Sequence, residues 1–339
     1  MNTLEENCHR VLKNAEKAIH DAYTQPFRVH HTMKHVNDML EFLEQMNILD
    51  PMTEVAAYFH DFVCEPGATD NERKSADAFK AYAKGILKDS EIKTVERLIM
   101  ATANPYQPKK LTFTERLFVK ADWGMMPDWH TLNASRISFL NEWEDGIFKE
   151  YRKYPLKDYI EGRNKFLAKA MTNKMITDEI YTYLYMQLYR RYRVGIYAGS
   201  FNPFHVGHMD ILNKADHLFD KVIIAKGQNP DKPKSDTNIH ELFPYEETTE
   251  YDGMLVDFII KNMSYNIDVT LIRGIRNGYD LQMESNFIQF LNGQMKQRKQ
   301  NAVQVIYIPC DPSLAHVSSS AIRSLPENDR KPYMCLPMK

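Results

Sequence analysis

Cysteine is scarce in this chain, with only four among 339 residues. They are Cys8, Cys64, Cys310 and Cys335, and they do not show the paired spacing of a cysteine metal site. We therefore expect reduced thiols, as is usual in a cytoplasmic protein. The first residues, MNTLEENCHRVLK, also lack the apolar core of a secretory signal peptide, which agrees with a cytoplasmic location.

Strong net charge and long apolar runs are missing as well. The 43 basic and 45 acidic side chains leave a formal net charge of −2. This near balance gives no support for nucleic acid or a membrane surface as a partner. No apolar run approaches the roughly 20 residues of a membrane span. With 26% charged and 43% hydrophobic residues, the composition is typical of a soluble globular protein, and the length suffices for two domains.

The chain changes character near residue 190. Before that point, apolar residues recur at helical spacing in successive segments such as LEENCHRVLKNAEKAIHDAY and HVNDMLEFLEQM. Beyond it, the short apolar runs RVGIYAG, KVIIAKG, VTLIRG and VQVIYIP predict strands with helices between them. We predict an all-α domain over residues 1–190, followed by an α/β domain with a parallel sheet over residues 191–339.

One stretch, YAGSFNPFHVGHMDIL, joins the first predicted strand to a helix. Ligands of open α/β folds bind at the carboxyl ends of the strands, and a helix start offers amide groups to an anion. Gly207 allows phosphate to approach closely, and Pro203 stiffens the turn. The stretch predicts a phosphate-binding loop, although His205 and His208 could by themselves be a helix cap and a surface histidine.

The second half closely resembles the phosphopantetheine adenylyltransferases of the HxGH nucleotidyltransferase superfamily. The resemblance extends over residues 193–339 and is carried by AGSFNPFHVGHMDIL, NPDKPK, LVDFIIKN, RGIRNGYDLQME and HVSSSAIR. It implies a Rossmann-like nucleotidyltransferase fold that transfers AMP from ATP to 4′-phosphopantetheine, giving dephospho-coenzyme A and pyrophosphate. It also implies Mg²⁺ bridging the ATP phosphates, and association into a homo-oligomer unless the helical domain blocks it.

The same resemblance assigns roles to single residues. His208, His205 and Lys232 are the expected catalytic residues, with Lys234 as a substitute for Lys232. The histidines would donate to phosphate oxygens, and the lysine would bridge the attacking phosphate and the α-phosphate of ATP. The residues expected to bind ATP and the small phosphorylated acceptor are Ser200, Phe201, Gly207, Arg273, Gly274, Arg276, Asp280, Glu284, Ser318, Ser319, Ser320 and Arg323.

The identity of the acceptor has two interpretations. Arg273 is expected to bind the acceptor's phosphate, and Arg276 with Ser319 and Ser320 the β- and γ-phosphates of ATP. The segments LVDF and RGIR favour 4′-phosphopantetheine as acceptor. His205 is instead more typical of nicotinamide mononucleotide adenylyltransferases and of cytidylyltransferases. The alternative is therefore an adenylyl- or cytidylyltransferase for another phosphorylated acceptor, such as nicotinamide mononucleotide.

The first half carries a different set of residues. His31 and His35 share one helical face, His60 and Asp61 are adjacent, and Asp122 lies in a later apolar segment. Together with DNERKSA and FKEYRKYPLKDYIEGRNKFL, they resemble the HD phosphohydrolase superfamily over residues 5–188. The alternative is that these histidines are satisfied core residues.

The HD resemblance implies a divalent metal ion that activates water for phosphohydrolysis. Glu72 or Asp70 would act on the water or the leaving group. ATANPYQP lacks a further histidine expected in the superfamily, which favours a single ion. We expect a bifunctional enzyme, with a non-catalytic regulatory HD domain as the alternative. The expected metal ligands are His35, His60, Asp61 and Asp122.

Overall fold

The computed structural model describes residues 3–103, 110–124, 132–227 and 237–335. The chain forms two compact units. The first comprises Met1–Tyr151 and Lys157–Leu188, and the second comprises Arg152–Leu156 and Tyr189–Lys339. An all-helical part is followed by an α/β part with a five-stranded parallel sheet, so the predicted fold class is confirmed.

The first unit consists of helices, and apolar residues of the first six of them meet in one core. Val11, Leu43, Val55, Phe59 and Phe79 are completely buried there, as their helical spacing predicts. Within the described ranges, no helix is both long and apolar enough to cross a membrane. The helices are α1 (Thr3–Tyr23), α2 (Met33–Gln45), α3 (Pro51–Phe59), α4 (Asn71–Ala83), α5 (Asp89–Ala103), α6 (Phe113–Asp122), α7 (Ala134–Glu150), α8 (Leu156–Thr172) and α9 (Asp178–Leu188).

Capping boxes fix the starts of two short helices in this unit. At α3, the Asp50 carboxylate accepts from the backbone N–H of Thr53, whose hydroxyl accepts from the N–H of Asp50, both at 2.8 Å. At α6, Thr112 and Glu115 exchange the corresponding hydrogen bonds. Because both helices are short, fixing the start also fixes the far end. Those ends carry the predicted metal ligands.

The second unit is a parallel sheet with helices between its strands. The strand order is β3-β2-β1-β4-β5, and Ile196 of β1 pairs with Ile223 of β2 and Leu271 of β4. β1 is buried along most of its length, as is typical of a central parallel strand. The strands are β1 (Tyr192–Gly199), β2 (Lys221–Gly227), β3 (Thr248–Tyr251), β4 (Ile267–Ile275) and β5 (Gln304–Pro309). The helices are α10 (Val206–Asp216), α11 (Ile239–Leu242), α12 (Leu255–Asn262), α13 (Gly278–Gln297), α14 (Ser319–Ser324) and α15 (Glu327–Arg330).

The strand β3 was not predicted from the sequence. Its residues, TTEY, are partly exposed, and the strand lies at the end of the sheet order beside β2. A short polar edge strand has no apolar run to distinguish it from a loop. Its position is set by pairing with β2, from Ile224 opposite Thr248 to Gly227 opposite Tyr251.

Lys221 binds a short segment of chain to the second unit. Its side chain is 1% exposed, and its Nζ lies 2.9 Å from Oε2 of Glu247. The same ammonium donates to the carbonyl oxygens of Arg152 and Tyr154, both at 2.5 Å. These bonds explain why Arg152–Leu156 belongs to the second unit although its neighbours along the chain belong to the first.

We predict that Lys221→Met destabilises the second unit by about 3–5 kcal/mol, because Glu247 and two carbonyl oxygens lose a buried partner. Chemical denaturation followed by circular dichroism measures the change. All three tryptophans, Trp123, Trp129 and Trp143, belong to the first unit, so their fluorescence reports on that unit separately.

The matched control is Lys296→Met, which removes an exposed lysine of α13 and should change the free energy of unfolding by less than about 0.5 kcal/mol. If Lys221→Met behaved like this control, the buried ammonium would have no structural role.

Candidate functional sites

A cleft lies where the strand order reverses between β1 and β4. The chain passes from β1 to β2 and β3 and then returns to the other side of β1. At such a switch point, a crevice opens beyond the carboxyl ends of the two strands. This one has a volume of about 350 Å³. Among the residues predicted for the site, those lining it are Phe201, His205, Gly207, His208, Arg273, Gly274, Arg276, Asp280, Glu284, Ser318 and Ser319.

His205 and His208 cap the start of α10 reciprocally. Nδ1 of His205 accepts from the backbone N–H of Gly207 at 3.2 Å, and Nδ1 of His208 accepts from that of His205 at 3.3 Å. The two rings stack with centroids 3.7 Å apart. The capping interpretation and the phosphate-binding interpretation of this loop therefore do not exclude each other, because capping occupies only one nitrogen of each ring.

These hydrogen bonds determine where the imidazole protons are. Since each Nδ1 accepts, the proton of each neutral ring lies on Nε2. Burial, and then the charge of Arg276, lower the pKa of His205 to about 4. Burial, His205 and Arg276 hold the pKa of His208 well below its usual range. Both rings are therefore neutral near pH 7, and each can offer an Nε2–H donor.

Each arginine of the cleft is paired with a carboxylate. Arg273 forms a bidentate pair with Glu284, at 2.5 and 2.6 Å, and donates to the carbonyl oxygen of Ala198 at 2.9 Å. Arg276 forms a bidentate pair with Asp280, at 2.7 and 3.0 Å. The first pair ties β4 and α13 to the end of β1. In both pairs the carboxylate accepts hydrogen bonds that a phosphate group could otherwise accept.

The comparisons with known proteins agree with this geometry. The sequence profile of the cytidylyltransferase-like family matches residues 196–325. A phosphopantetheine adenylyltransferase from Streptococcus suis is 32% identical over 141 residues, which cover 39% of this chain and 83% of that protein. Another from Fusobacterium nucleatum is 34% identical over 142 residues, covering 39% and 82%. Through its C-terminal unit, the chain belongs to the cytidylyltransferase-like family.

Among solved structures, a bifunctional NMN adenylyltransferase/ADP ribose pyrophosphatase from Francisella tularensis is 15% identical, with a TM-score of 0.30. The alignment covers 43% of this chain and 46% of that one. At this identity and TM-score, the likeness supports no conclusion about this chain. Because the family profile matches within residues 196–325, the HD resemblance of the first unit stays a prediction.

In the nucleotidyltransferase domain, the triple serine joins α14 to the loop before α10. Ser318 caps α14 by accepting from the N–H of Ala321 at 3.1 Å, and the Ser319 hydroxyl donates to the carbonyl oxygen of Pro203 at 3.1 Å. Arg323 donates to Ser320 Oγ and to the carbonyl oxygen of Asn202. Ser320 and Arg323 are not among the described residues that line the cleft. Instead, Arg323, in contact with Ser320, holds the loop before α10 in place.

Two glycines of the nucleotidyltransferase domain allow close packing around the histidines. A Cβ at Gly207 would lie 3.1 Å from Cε1 of His205, so a side chain here would push on the capping ring before it reached the cleft. A Cβ at Gly274 would lie 2.8 Å from Cγ1 of Ile211, which packs α10 against β4. The sequence predicted both glycines as ligand-binding residues, and the structure adds these packing reasons.

Two further predicted residues, Ser200 and Phe201, belong to this loop. Phe201 is 2% exposed, adopts a φ of 43°, and its ring packs 5.2 Å from that of His208, centroid to centroid. It therefore packs against the ring of His208 at the wall of the cleft. Ser200 directly follows β1. Lys232, with its substitute Lys234, lies outside the described residues.

In the first unit, the four predicted metal ligands converge. His35 lies on α2, His60 and Asp61 directly follow α3, and Asp122 ends α6. One ligand atom of each lies within 4.8 Å of those of the others. Nε2 of His35 is 3.2 Å from Nε2 of His60 and 3.3 Å from Oδ1 of Asp122.

The contacts of this cluster fit a cation. Nδ1 of His60 lies 2.7 Å from the carbonyl oxygen of Ala57, so the ring donates there and its Nε2 faces the cluster. Oδ2 of Asp61 is buried and forms no hydrogen bond among the described residues. Burial opposes a charged imidazole, but Asp61 and Asp122 outweigh it and raise the pKa of His60 to about 10. The cluster therefore favours a positive charge at its centre, which a divalent ion would supply.

Two acids, Glu72 and Asp70, were predicted to act on the water or the leaving group. Of these, Glu72 is the one whose pKa is affected by the carboxylates of the metal-ligand cluster. Burial, and then the Asp61 and Asp122 carboxylates, raise the pKa of Glu72. Asp70 instead pairs with Lys74 at 2.9 Å on the exposed surface.

A neighbouring group, formed by His31, Cys64 and Glu150, was not predicted from the sequence. One ligand atom of each lies within 4.8 Å of those of the other two. The position of His31, four residues before His35, was the only signal in the sequence. Glu150 is 119 residues away from His31, and no pattern connects them.

Proposed function

We propose that this protein is a bifunctional enzyme, with an adenylyltransferase in the domain of residues 191–339 and a metal-dependent phosphohydrolase in the domain of residues 1–190. The observation that carries the first activity is the orientation of His205 and His208. Two neutral imidazoles with Nε2–H groups lie together at the helix start of a cleft at the sheet's switch point. Such donors suit charge that develops on phosphate oxygens.

In the proposed transfer, a phosphate oxygen of the acceptor attacks the α-phosphorus of ATP and pyrophosphate leaves. Nε2–H of His208 donates to the α-phosphate as negative charge grows there, and His205 assists on the ATP phosphates. Because both rings stay neutral, they act as hydrogen-bond donors and do not need to release a proton. Lys232 bridges nucleophile and α-phosphate, Ser200 orients the attacking phosphate, and Mg²⁺ accompanies ATP.

In this proposal, the two arginines of the cleft bind phosphate groups although each is already paired with a carboxylate. To bind phosphate, the Arg276 guanidinium must release Asp280 or bind both groups at once. The pair is partly exposed, so its ion-pair free energy is small and its release costs little. Arg273 has a bidentate partner in Glu284 and a third bond to β1. Its guanidinium therefore has one edge left for the acceptor's phosphate. Its other hydrogen bonds hold β4, α13 and the end of β1 together at the cleft.

We propose 4′-phosphopantetheine as acceptor because the relatives from Streptococcus suis and Fusobacterium nucleatum are named phosphopantetheine adenylyltransferases. The segments LVDF and RGIR support the same choice. The second candidate acceptor is nicotinamide mononucleotide, which His205 favours.

We predict that ATP and 4′-phosphopantetheine give dephospho-coenzyme A with release of pyrophosphate. A panel of acceptors with ATP and with CTP, followed by a pyrophosphate assay and product mass, makes the test. Efficient turnover of nicotinamide mononucleotide without turnover of 4′-phosphopantetheine would assign the domain to the second candidate.

We predict that His208→Ala lowers kcat by roughly a hundredfold or more, because it removes a donor aimed at charge that grows in the transition state. ATP binding should change much less, since the donor is used mainly after binding. Steady-state kinetics beside an independent ATP titration measures both quantities.

His217→Ala, at the exposed far end of the same helix, is the matched control and should keep kcat. A nearly normal kcat for His208→Ala would leave this histidine with the capping role alone.

The hydrolase proposal rests on the convergence of His35, His60, Asp61 and Asp122. A bound divalent ion lowers the pKa of its water and polarises a phosphoryl oxygen. The chain's own residues hold the site: Ala57 fixes the ring of His60 through its carbonyl oxygen, and Glu72 acts on the water or the leaving group. The alternative, a regulatory domain without catalysis, would keep the metal but hydrolyse no phosphorylated substrate.

We predict that the purified protein binds a divalent ion and that His60→Ala with Asp61→Ala abolishes binding. Equilibrium dialysis against Mn²⁺ or Zn²⁺, followed by metal analysis, provides the measurement. Adenylyl transfer should be largely unchanged, because the ligands belong to the other domain. The control is His20→Ala with Asp21→Ala, a second adjacent His–Asp pair that is exposed on α1. Equal metal content in both double variants would exclude the site.

A further inference from the structure

A second group of ligand-type side chains adjoins the four predicted metal ligands. It consists of His31, Cys64 and Glu150, which offer an imidazole, a thiol and a carboxylate within 4.8 Å of one another. Neither of the two proposed activities has used them. The inference drawn from this group rests on the proposed metal site, because both involve the Asp61 carboxylate.

Glu150 is a fixed part of this group. Its side chain is 1% exposed, and its Oε1 accepts from three successive backbone N–H groups, those of Val29, His30 and His31, at 2.8–2.9 Å. Its other oxygen, Oε2, lies 2.5 Å from Nδ1 of His31. A carboxylate can only accept, so Nδ1 donates. When a cation displaces the proton of Nε2, that nitrogen offers its lone pair, as in a metal-binding histidine whose other nitrogen is held by a carboxylate.

Asp61 lies between the two groups. Its Oδ2 is 2.9 Å from Nε2 of His60, 3.7 Å from Nε2 of His35 and 3.9 Å from Nε2 of His31. The same oxygen is buried and makes no hydrogen bond within the described ranges. Three imidazole nitrogens thus face one buried carboxylate oxygen, an arrangement that a bound cation would stabilise. The Cys64 thiol lies within 4.8 Å of ligand atoms of both His31 and Glu150.

We propose that a second divalent cation binds beside the first, held by Nε2 of His31 and Sγ of Cys64 and sharing the Asp61 carboxylate. Glu150 is a positioning residue, because it fixes the proton of His31 without itself binding the ion. A mixed nitrogen, sulfur and oxygen set favours Zn²⁺ or Co²⁺ over Mg²⁺. Two neighbouring cations sharing a carboxylate suit a site that binds phosphate oxygens.

The test loads the full-length protein with Co²⁺ and with Zn²⁺ by equilibrium dialysis. We expect two ions per chain and, in the cobalt form, a thiolate-to-metal charge-transfer band in the near ultraviolet. His31→Ala and Cys64→Ser should each retain one ion and lose the band. Cys310→Ser, in the other unit, is the matched control and should keep both ions and the band.

Glu150→Gln keeps an acceptor for the three N–H groups but cannot fix the proton on Nδ1 of His31. The affinity of the second site should fall roughly tenfold to a hundredfold, while the first site is unchanged. This variant separates ion binding from folding, because the segment around Val29 keeps its partner.

The outcomes distinguish this proposal from the one on which it rests. One ion per chain, lost in Asp122→Ala but kept in His31→Ala, and no charge-transfer band, would overturn the second site and leave the first. One ion lost in His31→Ala and kept in Asp122→Ala would support the second site and overturn the first. Two ions with the band unchanged in Cys64→Ser would overturn the proposed ligand set.

Discussion

The hydrogen bonds that His205 and His208 exchange with the backbone determine the arrangement of the nucleotidyltransferase cleft. They start α10, they place both rings in a stack, and they direct the remaining nitrogen of each ring outward. Glycine suits position 207 because a Cβ there would lie 3.1 Å from Cε1 of the His205 ring that its N–H contacts. The loop before the helix is in turn held by Ser319 and Arg323 from α14. The geometry of the proposed catalytic residues and the local stability therefore depend on the same few bonds.

The two units use histidine with opposite polarity. In the cleft, Nδ1 of each histidine accepts a backbone N–H, so Nε2 carries the proton and suits an anion. In the helical unit, Nδ1 of His60 donates to Ala57, so Nε2 is the nitrogen that a cation can bind by displacing the proton there. One backbone contact at the far side of the ring decides which kind of ligand the near side can take.

The sequence predicts the elements better than the details of the sites. Helical spacing and buried apolar runs predict α1, α2, β1, β2, β4 and β5, because burial imposes a period that can be counted. β3 has no such period. The positions of His35, His60, Asp61 and Asp122 follow from type and order along the chain, and the structure brings them together. The pairing of Arg273 with Glu284, and of His31 with Glu150, depends on distances in space that no local pattern records. The reciprocal cap likewise depends on ring orientation.

The contact of Lys221 with the carbonyl oxygens of Arg152 and Tyr154 has a consequence for dissecting this protein. The chain leaves the first unit at residue 151, contributes five residues to the second, returns, and enters the second again at residue 189. A single cut near residue 190 would therefore leave the α/β part without the carbonyl groups that surround a buried ammonium. The helical fragment would keep the segment Arg152–Leu156 without Lys221, its partner in the second unit. Because the chain passes from one unit to the other three times, no single breakpoint separates the two units cleanly.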